Sequence, residues 1–209
     1  MRCKLKVCGV TQATDAVRLA ALGVDAIGVN FWKGSKRYID PQDAKPFLNE
    51  VRDNIHRVGV FVNEDISRIK EIYDEGLIDS AQLHGDEDTS YYEEMIRYNI
   101  DFIQVIRIHT EDSAIQPPTL LSNRILLDTF VPNYGGEGKP FNWKLAAEFI
   151  LAHSDKEIIL AGGITPDNTP HAAVIKPYMI DVASGVEITA GVKNMNLVQE
   201  ILSNLAKSD

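Results

Sequence analysis

Short apolar runs of strand length recur along the chain, and the stretches between them carry helical spacing. The runs are KLKVC (4–8), DAIGVNF (25–31), HRVGVFV (56–62), SAQL (80–83), FIQVIRI (102–108), RILLD (124–128), EIILA (157–161) and YMIDVA (178–183), eight in all. They are rich in Val and Ile and alternate little with polar residues, the pattern of parallel strands covered on both faces. In ATDAVRLAALG (13–23), Thr14 is the candidate cap, Ala16, Val17, Ala20 and Ala21 follow helical spacing, and Gly23 can end the helix. In DPQDAKPFLNEV (40–51), Asp40 is the candidate cap with Pro41 at the first helical position, and Pro46 is expected to shorten or kink the helix. Residues 65–75, 89–98, 142–153 and 194–206 also read as helices, whereas Pro117 and Pro118 leave room for at most a helical fragment after the fifth run.

Strict alternation of strand and helix, with no composition shift or Gly/Ser linker, predicts one domain over 1–209. Its fold class is α/β, a closed (β/α)8 TIM barrel. Dividing 209 residues by eight leaves about 26 per strand-plus-helix unit, which fits short loops. Right-handed crossovers then bring the C-terminal end of every strand to one rim. That rim collects Cys8, Asn30, Asn63, His84, Arg107, Asp128, Gly162 with Gly163, and Asp181 with Ser184. Taken singly, each has a plain structural explanation: strand ends are solvated, Asn63 can cap a helix, and a lone histidine usually satisfies a hydrogen bond. A set of reactive side chains on one rim is harder to explain that way.

Two glycine-containing loops follow the last two runs. AGGITPDN (161–168) carries Gly162 and Gly163 ahead of a helix start expected at Thr165 and Pro166, and DVASGVE (181–187) carries Ser184 and Gly185. In such barrels these are the loops that bind phosphate through backbone N–H groups, although glycine also simply permits a tight turn. NYGGEGKP (133–140) fails as a nucleotide loop, because Asn133 and Pro140 stand where a Walker motif needs Gly and Ser or Thr. It reads instead as a lid over 135–139, with Lys139 able to meet an acidic substrate. No HExxH occurs, and His84 with Asp86 is too little for a metal, so none is expected, nor any other cofactor.

Composition narrows the function class. With 21 basic against 30 acidic residues the net charge is −9, and no local basic block offsets it, which argues against a nucleic-acid partner. No run reaches the roughly 20 apolar residues of a membrane span, and the N-terminus lacks the features of a signal peptide, so a cytoplasmic protein without a membrane partner is expected. If Cys3 and Cys8 share one strand they lie about 16 Å apart, too far for a disulfide, so both are expected as free thiols.

The motifs KVCGVT (6–11), SKRYI (35–39), VGVFVNE (58–64), QLHGDE (82–87), LLD (126–128), YGGEGK (134–139), AGGITPDN, DVASGVE and GVK (191–193) occur in this order over nearly the whole length. In this the chain resembles the phosphoribosylanthranilate isomerases. The resemblance implies an Amadori rearrangement of N-(5-phosphoribosyl)anthranilate with Cys8 as general base and Asp128 as general acid. It further implies Arg37 at the anthranilate end, His84 and Asp181 in supporting contact with substrate, and phosphate held by Gly162, Gly163, Ser184 and Gly185. The implied partner is a small phosphorylated metabolite, and the chain is expected as a monomer or homodimer.

The chemistry agrees: opening a furanose needs an acid at the ring oxygen, and forming the enolamine needs a base at the next carbon. A cysteine can serve if a neighbour or a backbone dipole lowers its pKa. The sequence departs from the family pattern at Asn30, Trp32, Gly34, Asn142 and Ala183, which bears on affinity and lid geometry more than on the reaction. The rival readings are another sugar-phosphate barrel enzyme and a non-catalytic barrel that binds a phosphorylated metabolite. A binding module has no need of both Cys8 and Asp128.

Overall fold

The eight runs form parallel strands that pair in chain order and close into a barrel: β1 (Lys4–Cys8), β2 (Ala26–Asn30), β3 (His56–Phe61), β4 (Ser80–Leu83), β5 (Phe102–Ile108), β6 (Arg124–Thr129), β7 (Glu157–Leu160) and β8 (Met179–Val182). The structure is a computed structural model and describes residues 2–109, 113–130 and 142–207. Closure is set by β1, where Val7 stands opposite Ile27 of β2 and Leu5 opposite Ile180 of β8. Closure leaves the barrel sheet no open edge, and a short antiparallel pair, Glu187–Thr189 with Val192–Lys193, lies outside it.

Side chains alternate across this sheet. Leu5, Val7, Ile27, Val29, Leu127, Leu160 and Ile180 face outward and pack with the helices in the large core. The opposite set, Ala26, Val58, Ile103, Leu126, Ile159 and Met179, forms a small separate core inside the barrel. Apolar residues on both faces are why the runs hardly alternate in sequence. Buried polar residues on the inner face include Ser80 at the start of β4, and Lys6, Gln82 and Asp181 further along their strands toward the mouth.

Seven α-helices lie among the described residues: α1 (Ala13–Ala21), α2 (Pro41–Glu50), α3 (Ile66–Asp74), α4 (Thr89–Arg97), α5 (Trp143–Ala152), α6 (Thr169–Val174) and α7 (Met195–Lys207). Carboxylate and amide caps start four of them, with Asp40 accepting from Gln42 N at 2.9 Å, Asp65 from Ser67 N at 2.8 Å, Asp88 from Tyr91 N at 2.9 Å and Asn142 from Lys144 N at 3.1 Å. Pro46 does not shorten α2, which runs on to Glu50. The carbonyl that loses its bond belongs to exposed Gln42, where water can replace it, while Ala44, Phe47 and Leu48 hold the buried face.

Two expected helix starts are displaced. Thr14 is not the cap of α1; Gln12 is, its carbonyl accepting from Asp15 N and Ala16 N, both at 3.1 Å. The helix expected from Thr165 begins at Thr169, because Asn168 first closes a turn. Its Oδ1 accepts from Thr165 N and its Nδ2 donates to Gly163 O, both at 2.8 Å. After β5, no helix occurs among the described residues 113–123.

Candidate active site

A continuous polar assembly spans the barrel mouth from inner positions of β1, β4, β6 and β8. Cys8 ends β1 with Lys6 one inner position below it, and Asp181 of β8 stands opposite Lys6 in the strand register. Lys6 is fully buried, donating to Asp181 Oδ2 at 2.8 Å and to Gln82 Oε1 at 2.9 Å. Burial lowers its pKa, but the charges of Asp181 and Cys8 prevail and hold it above the ordinary lysine value. From Gln82 the chain continues, with Nε2 lying 3.0 Å from His84 Nδ1 and His84 Nε2 lying 3.4 Å from Asp128 Oδ2. The four rim candidates Cys8, His84, Asp128 and Asp181 are thus joined through two residues, Lys6 and Gln82.

Burial pushes the Cys8 thiol above an ordinary cysteine, with Lys6 and Lys193 pulling the other way. The condition under which a neighbour would lower this pKa is therefore not met. A cationic neighbour is present, but Asp181 already offsets part of its charge, and desolvation of the thiolate outweighs the rest. Space for the sulfur comes from Gly28, which faces Cys8 across β1 and β2; a Cβ there would lie 2.7 Å from Cys8 Sγ. Asp181 also leaves one oxygen open, since Oδ1 is buried with no hydrogen-bond partner.

Arg37 approaches from the loop after β2. Its Nε and Nη2 donate to Glu187 at 2.8 and 2.7 Å in a side-on pair, leaving the Nη1 edge outside it. Glu187 also accepts from Lys193 Nζ at 2.7 Å, and Lys193 Nζ reaches the carbonyl of Cys8 at 2.5 Å. Burial favours the protonated carboxyl of Glu187, yet the hydrogen bonds from Arg37 and Lys193 prevail and hold its pKa below the usual value. The aliphatic stem of Arg37 needs Gly9, where a Cβ would lie 2.2 Å from Arg37 Cδ.

The loops after β7 and β8 meet. Gly162 and Gly163 have φ of +86° and +66°, and a Cβ on Gly185 would lie 2.0 Å from the carbonyl oxygen of Ile164. Two side-chain-free turns are therefore packed backbone to backbone, with exposed Ser184 beside them. The other rim residues have structural tasks. Asn63 bridges loops by accepting from Asp86 N at 2.8 Å, Arg107 pairs with Asp86, and Asn30 accepts from Trp32 N at 3.0 Å. The 135–139 lid and Lys139 lie outside the described residues. Among those described, no group of three or more His, Cys, Asp or Glu could hold a metal, and no helix is long and apolar enough to cross a membrane.

The family model for N-(5'-phosphoribosyl)anthranilate (PRA) isomerase matches residues 5–204. The chain belongs to this isomerase family. An N-(5'-phosphoribosyl)anthranilate isomerase of Thermotoga neapolitana is 36% identical over 202 residues, covering 95% of this chain and 96% of its own. Among solved structures, phosphoribosyl anthranilate isomerase from Thermus thermophilus superposes with a TM-score of 0.86 at 30% identity, covering 99% of this chain and all (100%) of that one. A further phosphoribosyl anthranilate isomerase, solved in complex with reduced 1-(o-carboxyphenylamino)-1-deoxyribulose 5-phosphate, has a TM-score of 0.78 at 29% identity, covering 98% and 99% of the two chains.

Two departures from the isomerase pattern compensate each other. A Cβ on Gly34 would lie 2.3 Å from the Trp32 ring, so the larger aromatic needs the smaller neighbour. Asn142 keeps the capping function an aspartate would have there. Sequence reasoning missed Lys6, Gln82, Glu187 and Lys193, although all lie inside the isomerase motifs. The available signal was alternation: Lys6 and Cys8 lie two apart on one strand, as do Gln82 and His84 at the end of β4, so each pair faces the same way.

Proposed function

We propose that the protein catalyses the Amadori rearrangement of N-(5-phosphoribosyl)anthranilate to 1-(2-carboxyphenylamino)-1-deoxyribulose 5-phosphate, in tryptophan biosynthesis. The observation that carries this reading is the thiol of Cys8 and the carboxyl of Asp128 at inner positions of one barrel mouth, on β1 and β6. Asp128 protonates the ring oxygen as the C1–O bond breaks and the nitrogen lone pair forms the iminium. Cys8, as thiolate, takes the C2 proton, and the C–H electrons form the C1=C2 bond of the enolamine as the iminium electrons return to nitrogen. The enolamine then tautomerises to the ketone. Asp128 ends the cycle as carboxylate and Cys8 as thiol, and exchange with water restores both.

Binding follows from the geometry around this pair. The glycine loops at Gly162, Gly163, Ser184 and Gly185 take the phosphate, where backbone can approach without side chains. Arg37, held side-on by Glu187, offers its Nη1 edge to the anthranilate carboxylate. Asp181 Oδ1 accepts from a sugar hydroxyl, and His84 contacts the acid side of the substrate. The substrate carries two anionic groups into a protein of net charge −9, so these local donors must act against the overall sign. We place the reaction in the cytoplasm, where the free thiol of Cys8 stays reduced.

The test is to generate phosphoribosylanthranilate in situ and follow its disappearance with purified wild type, Cys8→Ala and Asp128→Asn. Wild-type turnover is expected, with kcat falling about 10³-fold in each variant and KM little changed. Near-normal turnover in either variant sinks the acid/base assignment. No turnover by folded wild-type protein favours a metabolite-binding barrel or a different sugar-phosphate enzyme.

A further inference from the structure

The hydrogen-bond chain from Lys6 to Asp128 has a direction that its chemistry imposes. A protonated lysine can only donate, so the oxygen of the Gln82 amide must face it, as it does at 2.9 Å. That orientation turns the NH2 of Gln82 to His84, 3.0 Å from Nδ1. An amide NH2 also only donates, so Nδ1 must accept, and the proton of the neutral ring sits on Nε2. Nε2 is the nitrogen facing Asp128 Oδ2 at 3.4 Å. Each link therefore donates toward Asp128, starting from a cation locked in the barrel interior by Asp181.

The geometry points to Gln82 as a positioning residue that, anchored by Lys6, fixes His84 in the tautomer whose Nε2–H donates to Asp128. This inference rests on the isomerase reading and adds a task to it. When Asp128 gives its proton to the ring oxygen, a carboxylate is left behind, and a donor already aimed at it stabilises the charge as it develops. In the other tautomer His84 would turn a lone pair toward that carboxylate and oppose the step. At 3.4 Å the pair is longer than an ideal hydrogen bond, and catalytic hydrogen bonds commonly tighten in the substrate complex. The same ammonium acts on Cys8 through charge and hydrogen bonding, so one buried lysine serves both members of the acid/base pair.

The test uses Gln82→Glu, nearly isosteric with glutamine. Its carboxylate still accepts from Lys6 but has no N–H for His84, so His84 must carry its proton on Nδ1 to bond with it. Nitrogen-15 spectra of histidine-labelled protein report the tautomer directly, and the signal lost in His84→Gln assigns the residue among the five histidines. Wild type is expected with the proton on Nε2 and Gln82→Glu with it on Nδ1. The variant should lose about 100-fold or more in kcat, the effect of removing one preorganised donor, with a smaller change in KM. In a His84→Gln background, Gln82→Glu should cost clearly less in kcat than it does alone, because the group it acts through is gone and only the added charge beside Lys6 and Cys8 still acts.

A wild-type proton on Nδ1 overturns the proposal even if the variant fails to fold, and so does a full additive loss in the double variant. Wild-type turnover is the separate readout of the isomerase reading. With turnover present, the tautomer and the double variant decide the role of Gln82; without it, the isomerase reading and this role fall together.

Discussion

Gly28→Ala should disable the thiol without unfolding the barrel. A Cβ at position 28 would lie 2.7 Å from Cys8 Sγ and 3.1 and 3.2 Å from its Cα and Cβ. Ordinary contact is about 3.5–4.0 Å, so the sulfur must retreat by about 1 Å, while the strand backbones need give only a few tenths. A reacting atom misplaced by about 1 Å costs about 100-fold in rate, equivalent to roughly 2.7 kcal/mol in the barrier. The overlap itself should lower stability by about 1–3 kcal/mol.

Gly59→Ala is the matched control, because its Cβ would lie 2.8 Å from Phe61 Cε2 and 3.1 Å from Ile78, on the helix side of the sheet. Urea unfolding of both variants, steady-state turnover and the alkylation rate of Cys8 by iodoacetamide separate the two effects. Similar stability losses are expected, with kcat falling about 100-fold only in Gly28→Ala. Turnover in Gly28→Ala within about threefold of Gly59→Ala would refute the claim that glycine at 28 exists to seat the sulfur.

Three further outcomes follow from the charges. The base works as thiolate and burial raises its pKa, so alkylation of Cys8 by iodoacetamide should keep accelerating with pH beyond about 8.5, where an unperturbed thiol is half ionised; a plateau at neutral pH would contradict this. Arg37→Ala should raise KM about tenfold or more with a smaller effect on kcat, and an unchanged KM would remove Arg37 from the anthranilate end. His56, at the opposite barrel end, is lowered to about 4 by burial and by Arg124, whose Nη1 donates to it at 3.1 Å. The unfolded state then binds the extra proton between pH 6.5 and 4, so stability is full above 6.5 and falls by up to about 3 kcal/mol as pH drops to 4. His56→Gln, which keeps an acceptor for Arg124, should lack that part of the slope in urea melts at several pH values; parallel curves for the two proteins would disprove it.

The barrel was legible in the chain because its determinants are local and periodic. Eight Val/Ile-rich runs with helical spacing between them leave few other ways to bury both faces of a parallel sheet. The rim residues were legible for the same reason, since a strand's C-terminal end can be read once the strand is known. Boundaries set by one side chain's bonds to the backbone were not. Asn168 delays α6 by reaching back to Gly163 and Thr165, and nothing in the local pattern of TPDN foretells that turn.

What the sequence determined by itself is the fold, the family and which reactive groups share the mouth. Only the tertiary structure decided how those groups are wired. Lys6 meets Gln82 across 76 positions and Asp181 across 175, and Lys193 reaches the carbonyl of Cys8 across 185. Closure of the barrel puts these distant strands side by side, so the partners of a buried charge depend on register and not on neighbourhood in the chain. The sign of the Cys8 shift has the same origin, because burial and the partial neutralisation of Lys6 by Asp181 arise only when β1 and β8 pair.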